Sequence, residues 1–183
     1  MTVFSEKLAE LFEQQDLPKE EVIREIARIA IEAGYMVADS DDTRPWGGFV
    51  RLATENGDDF VRTYFPNIDP LQARLGNPEA ELSPKVLYVA PLQRLSWQRH
   101  DRRAERWLFL TDGYYYRSND PDNPGEPIFA PAGTEVQFQA GECHRLAGHE
   151  EYPTYVAEIW QHTNLSHPSD ESDIERLQDD YSR

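Results

Sequence analysis

The sequence predicts a mainly β domain, a sandwich or barrel, with a helical hairpin at its amino-terminal end. Two observations carry this. Apolar residues recur at helical spacing only over the first third of a hundred residues, and from Thr43 onward the chain breaks into short runs rich in Val, Phe, Tyr and Trp divided by Gly, Pro, Asn and Asp. A chain of 183 residues is long enough for one such domain with a small appendage. Many short strands with no helices between them must bury their apolar faces against one another, which is the condition for a sandwich or barrel.

Taken in order, residues 3 to 15 place Phe4, Leu8, Leu11 and Phe12 on one helical face. A second helix is expected from Pro18 to Ala33, with Pro18 in its first turn, Gly34 after its end, and Val22, Ile23, Ile26, Ile29, Ala30 and Ala33 as its apolar stripe. The hairpin, residues 1 to 42, is too small to stand alone and closes on an acidic linker, Asp39 to Asp42. The β domain spans residues 43 to 183. Its expected strands are Gly48 to Ala53, Lys85 to Ala90, Arg94 to His100, Arg106 to Leu110, Tyr114 to Arg117, Val136 to Gln139, His144 to Leu146 and Thr154 to Trp160. Asp58 to Pro84 reads as an insertion in which Asp69-Pro70 begins a short helix through Arg74, and Asp120 to Pro127 reads as a loop.

Composition excludes several functions. The formal charge is −16, from 34 acidic and 18 basic residues, and the lysines are Lys7, Lys19 and Lys85 alone. Such a surface repels nucleic acid and anionic membranes, both of which bind by having phosphate neutralised. No apolar run has the length of a membrane span, since Val22 to Ala38 is interrupted by Arg24, Glu25, Arg28 and Glu32. Glu6, Lys7 and Glu10 stand where a signal peptide needs a basic start and apolar centre, so the expectation is a cytoplasmic protein. Cys143, the only cysteine, has no partner for an intramolecular disulfide and reads as a packing residue.

The chemistry concentrates in two segments. If residues 96 to 100 form a strand, its period of two puts Ser96, Gln98 and His100 on one face. Glu105, after a short polar turn, and His144, on a separate run, then complete a mixed oxygen and nitrogen ligand set suited to Zn, Mn, Fe or Ni. Gln98 reads equally well as a hydrogen-bonding neighbour of the ligands. Glu142 shares a strand face with His144 by alternation, whereas Glu158 is a candidate base or a group that orients a histidine. His149, His162 and His167 are given solvent or structural roles, and Trp46, Trp97, Trp107 and Trp160 are read as core.

These segments belong to an ordered series. Arg44-Pro45-Trp46-Gly47, Arg94-Leu95-Ser96-Trp97-Gln98-Arg99-His100, Arg103-Ala104-Glu105-Arg106-Trp107, Gly133-Thr134-Glu135-Val136, Gly141-Glu142-Cys143-His144-Arg145-Leu146, Glu158-Ile159-Trp160-Gln161 and the ending Asp173 to Arg183 together resemble the type II mannose-6-phosphate isomerase family, which are cupins. The match is similar to a stand-alone bacterial subgroup also labelled phosphoheptose isomerase, and covers roughly residues 43 to 183. No Gly-rich nucleotide loop precedes it, so the guanylyltransferase half that some members carry is absent from this sequence.

The resemblance implies a double-stranded β-helix with a metal inside one end of the barrel, a homodimer, and a metal-dependent aldose-ketose isomerase of sugar phosphates such as mannose 6-phosphate. It implies Gln98, His100, Glu105 and His144 as metal ligands, Zn first with Mn, Ni, Co or Fe as alternatives. Glu142 and Glu158 are the catalytic candidates, and Arg44, Lys85, Arg94 and Arg103 are the candidate substrate-binding cations for the phosphate. Tyr114, Tyr115 and Tyr116 stand where the family has smaller residues, and are expected to fill the mouth of the barrel. The competing functions are a non-catalytic sugar-binding or assembly cupin and another metal cupin such as an oxygenase.

Overall fold

The computed structural model describes residues 2–181, so Ser182 and Arg183, the last residues of the carboxy-terminal block, lie outside the described residues. Helix α1, Val3–Phe12, is opened by Thr2, whose side chain and that of Ser5 cap each other's backbone. Helix α2, Lys19–Glu32, follows Pro18 and ends before Gly34, whose φ of 88° suits the left-handed turn there. Phe4, Leu8 and Leu11 of α1 and Val22, Ile23, Ile26 and Ile29 of α2 are buried, the faces that the spacing predicts.

The strands are β1 Val37–Asp41, β2 Gly47–Leu52, β3 Leu82–Val89, β4 Trp97–Arg99, β5 Arg103–Phe109, β6 Gly113–Ser118, β7 Ile128–Ala130, β8 Glu135–Phe138, β9 Cys143–Gly148, β10 Thr154–His162 and β11 Glu175–Gln178. Helix α3, Gly57–Tyr64, and the short α4, Pro70–Ala73, stand between β2 and β3. Asp69 caps α4 in a reciprocal box with Gln72.

The pairing defines the architecture. β3 pairs with β10, β4 with β9, β5 with β8 and β6 with β7, all antiparallel, so β3 to β10 form one long hairpin nested on itself. Coiling that hairpin adds β10–β5 and β9–β6 pairs and yields sheets of order β3-β10-β5-β8 and β4-β9-β6-β7. This is the jelly-roll topology of a double-stranded β-helix. β1 and β2 extend the first sheet, and β11 extends the second.

The first sheet is covered on both sides. Val86 and Tyr88 of β3 and Tyr155, Ala157 and Ile159 of β10 turn outward and share one core with α1, α2 and α3. Leu87, Val89 and Val156 turn inward to meet Trp107, Phe109, Phe138 and Leu146. β3 and β10 are therefore buried at every position, as strands between two layers must be.

Two expectations change. Most of the stretch read as the acidic linker Asp39 to Asp42 is the outer strand β1, paired with β2 through Asp39, Ser40 and Asp41. An edge strand can keep its outward carboxylates in water, so its acidity does not oppose pairing. Tyr114, Tyr115 and Tyr116 do not fill the mouth: Tyr115 packs inward on Phe109 and Phe138, Tyr114 lies against Phe129 and His149, and Tyr116 lies beneath Arg145.

Candidate metal centre

Strand alternation sets polar residues at one end of the barrel interior. On the first sheet, Glu158 faces Lys85 of β3 and Trp107 of β5 across the ladder, and Trp160 faces Glu105. Two residues before Glu105, Arg103 points to the same side. On the second sheet, Gln98 lies directly opposite His144. The turn between β4 and β5 then brings His100 to Glu105, so four chain segments meet at one place.

His100, Glu105 and His144 offer ligand atoms that all lie within 4.8 Å of one another, and each is at most 2% exposed. Nε2 of His100 is 3.2 Å from Glu105 Oε1, and Nε2 of His144 is 3.2 Å from Glu105 Oε2. The other ring nitrogens decide the tautomers. His100 Nδ1 donates to the carbonyl of Asp173 at 2.5 Å, and His144 Nδ1 donates to the carbonyl of Glu142 at 3.0 Å. His144 Nε2 then carries a lone pair facing the carboxylate, while the lone pair of His100 Nε2 accepts from Arg103 Nη2 at 3.2 Å. Glu105 Oε2 and His144 Nε2 have no hydrogen-bond partner although both are buried. Two facing acceptors in a buried space call for a cation between them, so these residues fit a metal.

The ionisation states agree. Burial lowers His100 to about 3, which keeps its ring neutral. Burial opposes ionisation of Glu105, but its neighbours, the Arg103 guanidinium among them, outweigh it and hold the carboxyl well below its usual range. Two neutral imidazoles and a carboxylate leave about +1 on a divalent ion. Gln98 is buried beside them, but its Oε1 accepts from Ser96 Oγ at 2.7 Å and its amide nitrogen lies 3.4 Å from His100 Nε2. To act as a ligand through oxygen, its amide must flip by 180°.

A cavity of about 70 Å³ adjoins the triad and is lined by, among others, Arg44, Lys85, Gln98, Arg103, Glu105 and Glu158. Six of the residues proposed from sequence thus meet in one space. Glu158 is raised to about 8, first by burial and then by the charge of Glu105, and Trp107 Nε1 donates to it at 2.9 Å. Desolvation lowers Lys85, whose ammonium lies 3.6 Å from the centre of the Trp160 ring. Arg103 stacks on Trp160 at 3.6 Å and donates through Nε to Glu105 Oε1 at 2.8 Å. Arg44 sits at the rim, paired with Asp41 at 2.8 Å.

Two sequence candidates lie elsewhere. Glu142 precedes β9 instead of sharing a strand face with His144; its carboxylate accepts from Arg117 and from the Gln139 amide, and its backbone carbonyl alone reaches the site. Arg94 is paired with Asp180 at 2.5 Å on the outer side and does not line the cavity.

The segment Pro168 to Ile174, which carries no sequence candidate, is part of the site. Asp173 is buried; its carboxylate accepts from Asp101 N and Arg102 N, each at 3.1 Å, and from Ser169 Oγ at 2.5 Å. Arg103 Nη1 reaches Ser169 Oγ at 2.8 Å and the carbonyl of Asp170 at 3.1 Å. Asp173 opens the carboxy-terminal block, the single sequence signal for this strap. His162 ends β10 and lies between Ser83 Oγ and Ser169 N, a structural role. Cys143 is buried and unpaired, and the tryptophans are buried, with Trp46 and Trp160 on the cavity wall.

No family model matches the chain, and no curated protein matches it. Solved structures do. A conserved protein with a double-stranded β-helix domain from Klebsiella pneumoniae is 16% identical over 46% of this chain and 70% of that one, with a TM-score of 0.40. A cupin 2 conserved barrel protein from Salinispora arenicola is 18% identical over 43% and 61%, at 0.37. A candidate sugar phosphate isomerase from Acidithiobacillus ferrooxidans is 16% identical over 44% and 49%, at 0.38. The architecture of the present chain rests on its own strand pairing. Among the described residues no helix is long and apolar enough to cross a membrane.

Proposed function

We propose that the protein is a metal-dependent aldose-ketose isomerase acting on a sugar phosphate of the mannose 6-phosphate type. The observation that carries this reading is the meeting, in one buried space, of the His100-Glu105-His144 triad with a carboxyl of raised proton affinity, Glu158, and with the cations Lys85 and Arg103. Isomerisation moves a proton between C1 and C2 of the sugar while charge develops on the neighbouring oxygens.

Each chain group has a task. Glu158, held by Trp107 Nε1, would take the proton from one carbon and return it to the next. A carboxyl that burial makes reluctant to ionise is a stronger base once ionised. Lys85 and Arg103, fixed against Trp160, would hold the phosphate. His100, Glu105 and His144 would hold the ion, Zn first, with Gln98 as a fourth donor after its amide turns. Such an ion would supply Lewis acidity toward the sugar carbonyl and its neighbouring hydroxyl.

The test is solvent exchange of the C2 proton of mannose 6-phosphate, followed by NMR in D2O on protein loaded in turn with Zn, Mn, Ni or Co. Exchange with at least one metal is expected. Absence of exchange with all of them removes the reading.

A further inference from the structure

The cavity is too small for the ligand class just proposed. About 70 Å³ holds a few waters, whereas ligand pockets ordinarily run from about 300 Å³. Something on its wall must move, and the wall itself shows which group is free to do so.

Lys85 cannot move far. It is 3% exposed, its stem belongs to the interior face of β3, and its ammonium is packed between the rings of Trp160 at 3.6 Å and Phe49 at 4.5 Å. Its ion-pair partner is Glu171, whose Oε1 lies 2.8 Å from Nζ. The two partners differ sharply: the Lys85 side chain is 4% exposed and that of Glu171 49%. Glu171 sits at a turn whose flanks are anchored, Ser169 through its amide to His162 Nδ1 and its hydroxyl to Asp173, and Asp173 through the amides of Asp101 and Arg102. The turn can swing Glu171 into water by releasing the Asp170 contacts to Arg103 and Ser172, while Ser169 and Asp173 stay in place.

Burial of an ammonium demands a counter-charge, and Glu171 supplies one from outside the barrel. A phosphate oxygen offers the same chemistry. Exchanging one anion for the other keeps Lys85 neutralised and returns the Glu171 carboxylate to solvent, where it is already half solvated.

We infer that Glu171 is an internal competitor at the anion subsite: in the free protein its carboxylate occupies the position on Lys85 that an anionic ligand takes, and ligand binding expels it and enlarges the cavity. This rests on the anion-binding part of the proposed function and adds the device that keeps the subsite closed. The apparent affinity for an anion is then reduced by the fraction of molecules in which Glu171 is away from Lys85.

The experiment compares the full-length protein with its Glu171→Gln variant, which removes the charge at a half-exposed position. Inorganic phosphate is titrated calorimetrically into each, and amide hydrogen exchange is read over residues 168–174 with and without phosphate. The expected results are phosphate binding at least about tenfold tighter in Glu171→Gln and faster exchange at 170–172 on adding phosphate to the wild type. Equal or weaker binding by the variant, or exchange unchanged by bound phosphate, overturns the inference. Sugar-proton exchange separates it from the isomerase reading. Tighter phosphate binding by the variant without sugar exchange supports the competitor and removes the isomerase, whereas sugar exchange with no gain in phosphate affinity does the reverse.

Discussion

Replacing Asp173 by alanine should both destabilise the fold and loosen the metal centre. The carboxylate is 7% exposed and accepts from Asp101 N, Arg102 N and Ser169 Oγ, and these bonds hold it below its usual pKa despite the opposing effect of burial. Removing it leaves two amides of the β4–β5 turn and one hydroxyl without an acceptor, each costing about 1–3 kcal/mol before water is admitted. With the turn at the surface and water recovering part of the loss, the net cost should be about 3 kcal/mol. For a chain of this size that corresponds to a fall in Tm of roughly 6–12 °C. Urea unfolding gives the free energy directly, with an unchanged slope if the compact state is retained. The same residue's carbonyl orients His100 and is kept in the alanine variant without the anchor that places it, so affinity for a divalent metal should fall by up to about tenfold, the lower end of what is lost when such a group is removed outright. Asp173→Asn keeps one acceptor oxygen and should recover part of both effects. A loss below about 1 kcal/mol in Asp173→Ala with metal affinity intact would refute the strap's role in building the site.

Glu158→Gln removes the group assigned to proton transfer and should lower the rate of C2 proton exchange by about 10²–10⁴-fold while leaving metal content unchanged, measured by NMR and by metal analysis; an undiminished rate assigns the proton to another group. His162 is lowered to about 4 by burial, so the folded state prefers its neutral ring. Its contribution is complete above the unfolded value of 6.5 and is lost as pH falls from there toward 4, about 2 kcal/mol after allowance for partial solvation. Thermal unfolding of wild type and His162→Gln at pH 7 and pH 5 checks this, with a smaller pH effect expected in the variant. Gly47→Ala should destabilise by several kcal/mol or prevent folding, because φ is 153° there and an added Cβ would come within 2.0 Å of the Tyr88 carbonyl oxygen; stability within about 0.5 kcal/mol of wild type, by urea unfolding, would contradict that geometry.

The sequence exposed those parts of the fold that depend on local pattern. The stripes of α1 and α2 and the strands β2, β3, β5, β6 and β10 emerge from periodicity, because each buries a face wide enough to leave a signal. Others depend on their neighbours. β1 and β11 are mostly polar edge strands that exist through pairing with β2 and β4, and β7 has three residues of which Ile128 and Phe129 are exposed. α3 is short and begins with Gly57, a poor helix former, and its Phe60, Val61 and Tyr64 face gains its meaning from the sheet beneath.

The site divides in the same way. Gln98 and His100 follow from strand alternation, and the inward turn of Arg103, Glu105, Lys85 and Glu158 follows from register on three neighbouring strands. Glu142 and Arg94 could not be excluded from local pattern, because the turn at Gly141, with φ of 81°, breaks the alternation before β9, and Arg94 lies ahead of β4 outside the regular ladder. Asp173 and Glu171 were least visible: an acidic Ser-Asp-Glu-Ser-Asp stretch has the composition of a solvated loop, and only the fold returns it to His100 and Lys85.

The isomerase activity proposed for this protein depends on His100, Glu105 and His144 binding a metal. The most direct measurement is metal analysis of protein purified without chelator, followed by calorimetric titration of the stripped protein with Zn, Mn, Ni, Co and Fe. The expected result is a divalent ion bound stoichiometrically, a rise in Tm of roughly 5–10 °C at about a hundredfold excess over Kd, and loss of both in His144→Ala and Glu105→Gln. Protein that carries no divalent metal and binds none on titration, with wild type and both variants alike, would contradict it.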